Sequence, residues 1–194
     1  YISHGVKKNK ILSAPYFVDN DFFNISLNKK NTKKKLKFEN KKIILFVGKL
    51  IKRKNPFEFL RIAELNRDKI NLHFVIIGDG ILKKKCVEYI KNLNLTNVSL
   101  LGFVNQNKIR EYYKVSDLMI VTSFYETWGL NINEAFASNV PVICSNDCGA
   151  SLDLVVNKKT GFVYKTGNIS DLNKKMNLIL HDKKLASAML KNIK

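Results

Sequence analysis

From residue 42 onward the chain repeats one rhythm: a short apolar run rich in β-branched residues, a turn holding Gly or Asn, then a stretch whose apolar residues recur at helical spacing. Residues 43–47, 72–77, 98–101, 118–121, 140–144 and 161–164 have the length and composition of buried strands. Between them the spacing predicts helices over 81–93, 106–114, 130–138 and 169–180. A further helix is expected from Pro56 to residue 66 with Asn55 as its N-cap, and a short last one over 184–190. Strands apolar on both faces and separated by helices fit a parallel sheet, because parallel neighbours need crossovers and the crossover helices cover both faces. The expected fold is therefore α/β, a doubly wound, six-stranded, Rossmann-like parallel sheet over residues 42–194. Upstream the rhythm is missing. Residues 11–23 still carry Pro15, Tyr16, Phe17, Val18, Phe22 and Phe23, too apolar for a free tail, whereas residues 29–37 are polar and unpatterned and read as a flexible, solvated basic linker.

Charge changes this picture first. The 194 residues include 34 Lys and Arg against 16 Asp and Glu, a formal charge of +18, of which residues 1–42 supply +8. That balance raises nucleic acid as a partner. However, 45% hydrophobic and 26% charged residues describe a chain that buries a core, the aromatics sit in apolar periodic runs, and no recognised nucleic-acid motif occurs. No nucleic-acid partner is expected, and a basic nucleic-acid-binding module stands as the alternative. The lysine run reads as solvated surface or as a patch for an anionic membrane. No apolar run approaches the roughly 18 residues that cross a bilayer. Cys86, Cys144 and Cys148 make no disulfide framework and fit a reducing compartment as buried thiols. The expected location is cytoplasmic, with peripheral contact at the inner face of the cytoplasmic membrane. A start at Tyr1, without an initiator Met, reads as a fragment.

In doubly wound sheets a ligand lies beyond the carboxyl ends of the strands. Gly48, Gly78, Gly80, Gly102, Gly129 and Gly149 fall at or just after those ends. Gly78-Asp79-Gly80 is a GxG after a strand, but Lys83 stands where a dinucleotide fingerprint has its third glycine, so nicotinamide and flavin chemistry is disfavoured. No P-loop occurs, and the cysteines with His4, His73 and His181 lack zinc-like spacing, so neither metal nor cofactor is expected. The informative stretch is 123–135. Glu126 lies in the loop after the fourth strand, Gly129, Leu130 and Asn131 open a helix with free amides, and Glu134 follows about one turn inside it, with Trp128 beside them. Free N–H groups at a helix start bind phosphate, and carboxylates accept hydrogen bonds from vicinal hydroxyls. That combination suits a nucleotide sugar, charged in the middle and hydroxylated at both ends. Taken singly, Glu126 also reads as a surface carboxylate, Glu134 as a charge favoured by the helix dipole and Trp128 as core.

Taken together, the two glutamates eight apart around an aromatic residue and Gly129 resemble the E-x7-E signature of the GT4-type (group 1) retaining glycosyltransferases of GT-B fold. Val47-Gly48-Lys49-Leu50 with Lys54 resembles that family's GRLxxxK, residues 75–80 its strand ending in GxG, and residues 98–104 its "V…GFV" segment. The resemblance runs from about residue 11 to 190 and implies the C-terminal, donor-binding half of such an enzyme, the N-terminal acceptor domain being absent. Ala14, Pro15, Tyr16, Phe17, Val18 and Asp19 resemble the interdomain stretch, which makes residues 1–41 an interdomain segment and basic linker.

The resemblance implies a hexosyltransferase acting with retention of configuration, without a metal, on a nucleotide-sugar donor, a UDP-sugar on family frequency, and on a glycan or lipid-linked acceptor in bacterial polysaccharide synthesis. Lys49, Lys54 and the helix start would meet the diphosphate. Glu126 would hold a hydroxyl of the transferred sugar and Glu134 the ribose diol, with the backbone at Gly102, Phe103 and Val104 facing the base. Two departures stand out. Lys49 replaces an Arg and loses its bidentate fork, and Gly149-Ala150-Ser151-Leu152-Asp153 carries Asp where the family's GGxxE has Glu. The isolated domain is expected to bind donor weakly and turn over nothing, and a catalytically inactive sugar-nucleotide domain is the remaining alternative.

Overall fold

A computed structural model describes every residue except Ser13, Pro15 and Lys194. Pro15 of the 14–19 stretch therefore lies outside the described residues. The six strands β1 (Lys42–Val47), β2 (Leu72–Ile77), β3 (Val98–Gly102), β4 (Leu118–Val121), β5 (Val142–Ser145) and β6 (Gly161–Tyr164) form one sheet, all parallel, in the order β3-β2-β1-β4-β5-β6. The order reverses between β1 and β4. That is the switch point at which such sheets open a crevice at their carboxyl edge.

The helices are α1 (Asn20–Phe23), α2 (Lys29–Lys35), α3 (Pro56–Leu65), α4 (Lys83–Asn92), α5 (Gln106–Val115), α6 (Leu130–Ala137), α7 (Ala150–Asp153), α8 (Ile169–His181) and α9 (Lys183–Ile193), of which α3 to α6, α8 and α9 follow the expected periodicity. β1 shows why the strands are apolar throughout. Ile44 and Phe46 pack on one side with Leu60, Ile62, Leu172 and Met176 from α3 and α8, while Ile43 and Leu45 pack on the other with Tyr113, Val115, Ile132 and Ala135 from α5 and α6. Alternate residues thus serve two separate cores, as a double-wound sheet requires.

Three expectations need correction. The lysine-rich run is not a flexible linker: Asn28 caps α2 by accepting from the Asn31 amide at 3.0 Å, Thr32 is buried, and Lys29 and Lys33 both reach Asp117 just before β4. An ion pair with a residue far along the chain converts a solvated run into a docked helix. Asn55 does occupy the N-cap position of α3, but in a left-handed conformation, φ +50°, with its side-chain amide turned to Glu58 instead of the helix amides. β5 starts two residues later than expected, because the Val140 amide closes the end of α6 on Ala135 O (2.9 Å) and Pro141 has no N–H to give. Helix α7, within the 149–153 stretch, went unrecognised in the sequence. All three cysteines are buried free thiols, and burial pushes Cys86 and Cys148 up to about 11. Among the described residues no helix is long and apolar enough to cross a membrane.

Candidate active site

Two loops at the switch point build the site. The first leaves β1 at Gly48 and is laced to the β2 loop by Gly48 N to Ile77 O (3.0 Å), Leu50 N to Asp79 O (2.8 Å) and Leu82 N to Leu50 O (2.9 Å). A Cβ at Gly78 would stand 1.8 Å from Gly48 O, and one at Gly80 2.6 Å from Leu50 O. These two glycines therefore let backbone pass backbone, and neither lines the cleft. The loop ends in a 3-10 turn, Lys52–Lys54, whose last carbonyl accepts from Thr122 Oγ1 at 3.0 Å, tying Lys54 to the end of β4.

The second loop leaves β4 and is zipped to the loop after β5. Glu126 N donates to Asp147 O (3.0 Å), Gly149 N to Glu126 O (2.8 Å) and Ala150 N to Trp128 O (2.9 Å), while Cys148 Sγ donates to the same Trp128 carbonyl at 3.0 Å. A Cβ at Gly149 would lie 2.1 Å from Thr127 O. Gly129 is held at φ +104°, a region other residues avoid, and a Cβ there would press Cys148 Sγ at 2.9 Å. Among the described residues no side chain caps α6 behind it, so the first amides of the helix remain available at the positive end of its dipole.

Between these loops lies a cleft of about 410 Å³ that gathers Gly48, Lys49, Lys54, Glu126, Trp128, Gly129, Leu130, Asn131 and Glu134 from the sequence-predicted set. Lys54 Nζ and Glu126 Oε2 form an ion pair, their side chains only 15% and 10% exposed. Lys49 is exposed on the rim. Asn131 Nδ2 donates to Val47 O at 2.8 Å, leaving its buried Oδ1 without a partner among the described residues. Glu134 Oε2 accepts from Tyr113 OH at 2.6 Å; burial raises the Glu134 carboxyl above its ordinary range and that hydrogen bond opposes the rise. The 14–19 stretch also reaches the site, since Tyr16 packs on Trp128 (centroids 5.6 Å apart) and its carbonyl accepts from Asn133 Nδ2 at 3.1 Å.

Phe103 and Val104 stand in the loop after β3, on the same sheet edge but outside the cleft lining, and Asp153 is exposed on α7, also outside it. Two residues escaped the sequence reading. Arg53 lines the cleft beside Lys54 and brings a guanidinium to a site where Lys49 lacks one; its signal was only a basic run, Lys52-Arg53-Lys54. Tyr113 sits among the apolar positions of α5, where a tyrosine reads as core. Among the described residues, no group of three or more His, Cys, Asp or Glu is gathered as a metal site.

The family profile described as Glycosyl transferases group 1 matches residues 28–194. The chain is 32% identical over 195 residues to an Escherichia coli UDP-Gal:alpha-D-GlcNAc-diphosphoundecaprenol alpha-1,3-galactosyltransferase, covering 94% of this chain and 48% of that protein. It is 29% identical over 197 residues to a Campylobacter jejuni alpha-1,4-N-acetyl-D-galactosaminyltransferase named for an undecaprenol-linked substrate, covering 100% of this chain and 51% of the relative. The chain thus spans about half the length of these curated relatives. Among solved structures, Anabaena HepE in complex with UDP superposes with a TM-score of 0.85 at 22% identity over 99% of this chain and 54% of that one. The C-terminal domain of a Francisella tularensis group 1 glycosyltransferase gives 0.80 at 24% identity, covering 91% of this chain and 94% of that one. The sheet order, the cleft at its switch point and the profile match agree: the chain belongs to the group 1 glycosyltransferases and has the Rossmann-like fold of a GT-B C-terminal domain.

Proposed function

We propose that this chain is the donor-binding half of a hexosyltransferase that moves a sugar from a UDP-sugar to a glycan or lipid-linked acceptor, with retention of configuration and without a bound metal. Residues 1–41 form the interdomain segment and residues 42–194 the donor domain. The carrying observation is the Lys54–Glu126 pair set beside the uncapped start of α6, with Glu134 on the same wall. As the nucleoside diphosphate leaves, negative charge grows on its phosphates. Lys49, Arg53 and Lys54 with the first amides of α6 supply preorganised positive charge there, each such donor contributing about 3–4 kcal/mol in comparable sites. Donor binding draws Lys54 toward the diphosphate and frees Glu126 for a hydroxyl of the transferred sugar, while Glu134 takes the ribose diol. The acceptor hydroxyl attacks on the face from which the diphosphate departs. The name of the Escherichia coli relative and the UDP held by HepE support the uridine choice.

Closing the cleft takes the acceptor domain, so the isolated chain binds donor weakly and is inactive. Where the acceptor is lipid-linked, Lys30, Lys34 and Lys37, exposed on the outer side of α2 and the turn that follows, offer a basic stripe to an anionic membrane from the cytoplasmic side. The test is substitution in an enzyme containing this chain, with the exposed Lys91→Ala as control. Unchanged donor affinity in Glu134→Ala removes the ribose assignment. Turnover in Lys49→Ala and Lys54→Ala no lower than the control removes the diphosphate assignment. A thermal-shift series with UDP-, GDP- and ADP-sugars identifies the base.

A further inference from the structure

Tyr113 is a phenol with no exposure at all, in the interior of a core built mainly from aliphatic and aromatic side chains. A buried hydroxyl costs free energy unless it finds a partner. Here the partner is Glu134 Oε2 at 2.6 Å. The ring cannot swing away, because Phe23, itself 2% exposed, stands edge-on against it with centroids 5.8 Å apart and planes at 89°. Glu134 lines the cleft, and among the described residues no donor reaches its second oxygen. One carboxylate oxygen is therefore pinned from behind and the other is left for whatever enters.

We propose that Tyr113 is a positioning residue of the donor site: its phenol fixes the Glu134 carboxylate so that the free oxygen meets the ribose diol of the bound nucleotide. This rests on the reading of Glu134 as the ribose ligand. A diol is held well only by an acceptor whose orientation is set before binding, since ordering a free side chain offsets part of each hydrogen bond made. A neutral phenol suits that task better than a cation would, because it leaves the full negative charge on the carboxylate. The other charged groups around the cleft are Lys49, Arg53, Lys54 and Glu126, and none of them hydrogen-bonds Glu134. Burial favours the protonated carboxyl and the Tyr113 bond opposes it, so removing the hydroxyl lets protonation set in at higher pH.

The experiment is calorimetry of an enzyme containing this chain with UDP, GDP and ADP and, for the tightest of them, its 2′-deoxy counterpart. The wild type should prefer the ribonucleotide by about tenfold, the size of one hydrogen bond to a charged acceptor. Glu134→Ala should abolish the preference. Tyr113→Phe, which keeps the ring, should weaken ribonucleotide binding by about fivefold to tenfold, cut the preference to about twofold or less, and lose affinity from the acid side at a higher pH than the wild type. A merely structural tyrosine would shift the melting temperature and leave both the preference and the pH profile in place, overturning the inference while the ribose reading stands. A preference that survives in Glu134→Ala, or no binding of any of the three nucleotides, overturns the reading and the inference together. Should Tyr113→Phe not fold, carbon-13 spectra of the wild type decide. The Tyr113 Cζ signal shifts on saturation with the diphosphate if the phenol works through Glu134, and a signal that stays put overturns the inference.

Discussion

The two ends of β4 carry two lysine–carboxylate clusters built from the same chemistry and left in opposite states. At the amino end, Asp117 Oδ1 accepts from Lys29 Nζ at 2.8 Å, while Oδ2 accepts from Lys33 Nζ at 2.9 Å and the Ile43 amide at 2.8 Å. Each lysine also has a second acceptor, Ser116 O at 2.8 Å for Lys29 and Lys41 O at 2.6 Å for Lys33. At the carboxyl end, Glu126 has, among the described residues, the Lys54 ammonium alone for its side chain, in the wall of a cleft beside uncapped helix amides. A saturated cluster holds two elements together. An under-coordinated one is ready to exchange partners, which is what a binding site must do.

Four measurements would break or sharpen that contrast. Lys54→Ala should lower turnover by about 100- to 1,000-fold in the full enzyme, the usual loss of one preorganised charge donor. The same change should also cost about 1–3 kcal/mol of stability, because it strands a Glu126 carboxylate that is only 10% exposed. Asp117→Ala should affect stability alone. Stranding two ammonium groups and the Ile43 amide should remove about 2–3 kcal/mol in urea denaturation, with nucleotide affinity of the folded protein unchanged.

Acid titration follows from the same cluster. Burial alone would raise Asp117, but Lys29 and Lys33 outweigh it and hold the carboxyl below its ordinary 3.8. A depressed carboxylate contributes stability that is complete above the ordinary value and is lost as the pH falls through the lowered one. The wild type should therefore lose stability in that acid window, and Asp117→Asn should lack that component, as denaturation at stepped pH would reveal. Lastly, Lys34→Ala, on the exposed side of α2, should change stability by less than about 0.5 kcal/mol, whereas Lys33→Ala one residue earlier should be clearly destabilising.

Much of this was legible in the sequence wherever structure repeats at short range. The strand and helix periods placed β1 to β4 and β6 within a residue or so, and glycines at strand ends marked the carboxyl edge at which the cleft opens. The cleft lining followed from residues 123–135 because a helix start flanked by two carboxylates eight residues apart forms a local pattern. What escaped depended on distant partners. Lys29 and Lys33 meet Asp117 across 88 and 84 residues, so nothing within 29–37 announces a helix. Tyr113 is 21 residues from Glu134, and its periodic position in α5 hides a hydroxyl with a specific partner. The spacing also suggested a ligand role for Gly78 and Gly80, because tolerance of a phosphate and tolerance of a neighbouring carbonyl demand the same missing Cβ.

The junction of β1 with β4 has one more consequence. Ile43 and Asp117, which clasp the first residues of these strands through two hydrogen bonds of 2.8 Å, are 74 residues apart. Closing so long a loop costs entropy, so contacts within β1–β3 and within β4–β6 are expected to form before the two halves join. The cleft does not exist until they do, since one wall follows β1 and the other follows β4. A nucleotide that touches both walls then favours the joined sheet by mass action, about 2.7 kcal/mol at one hundred times its Kd. On the proposed function the donor would be a staple across the seam, and protease resistance of the two halves should rise together as it is added.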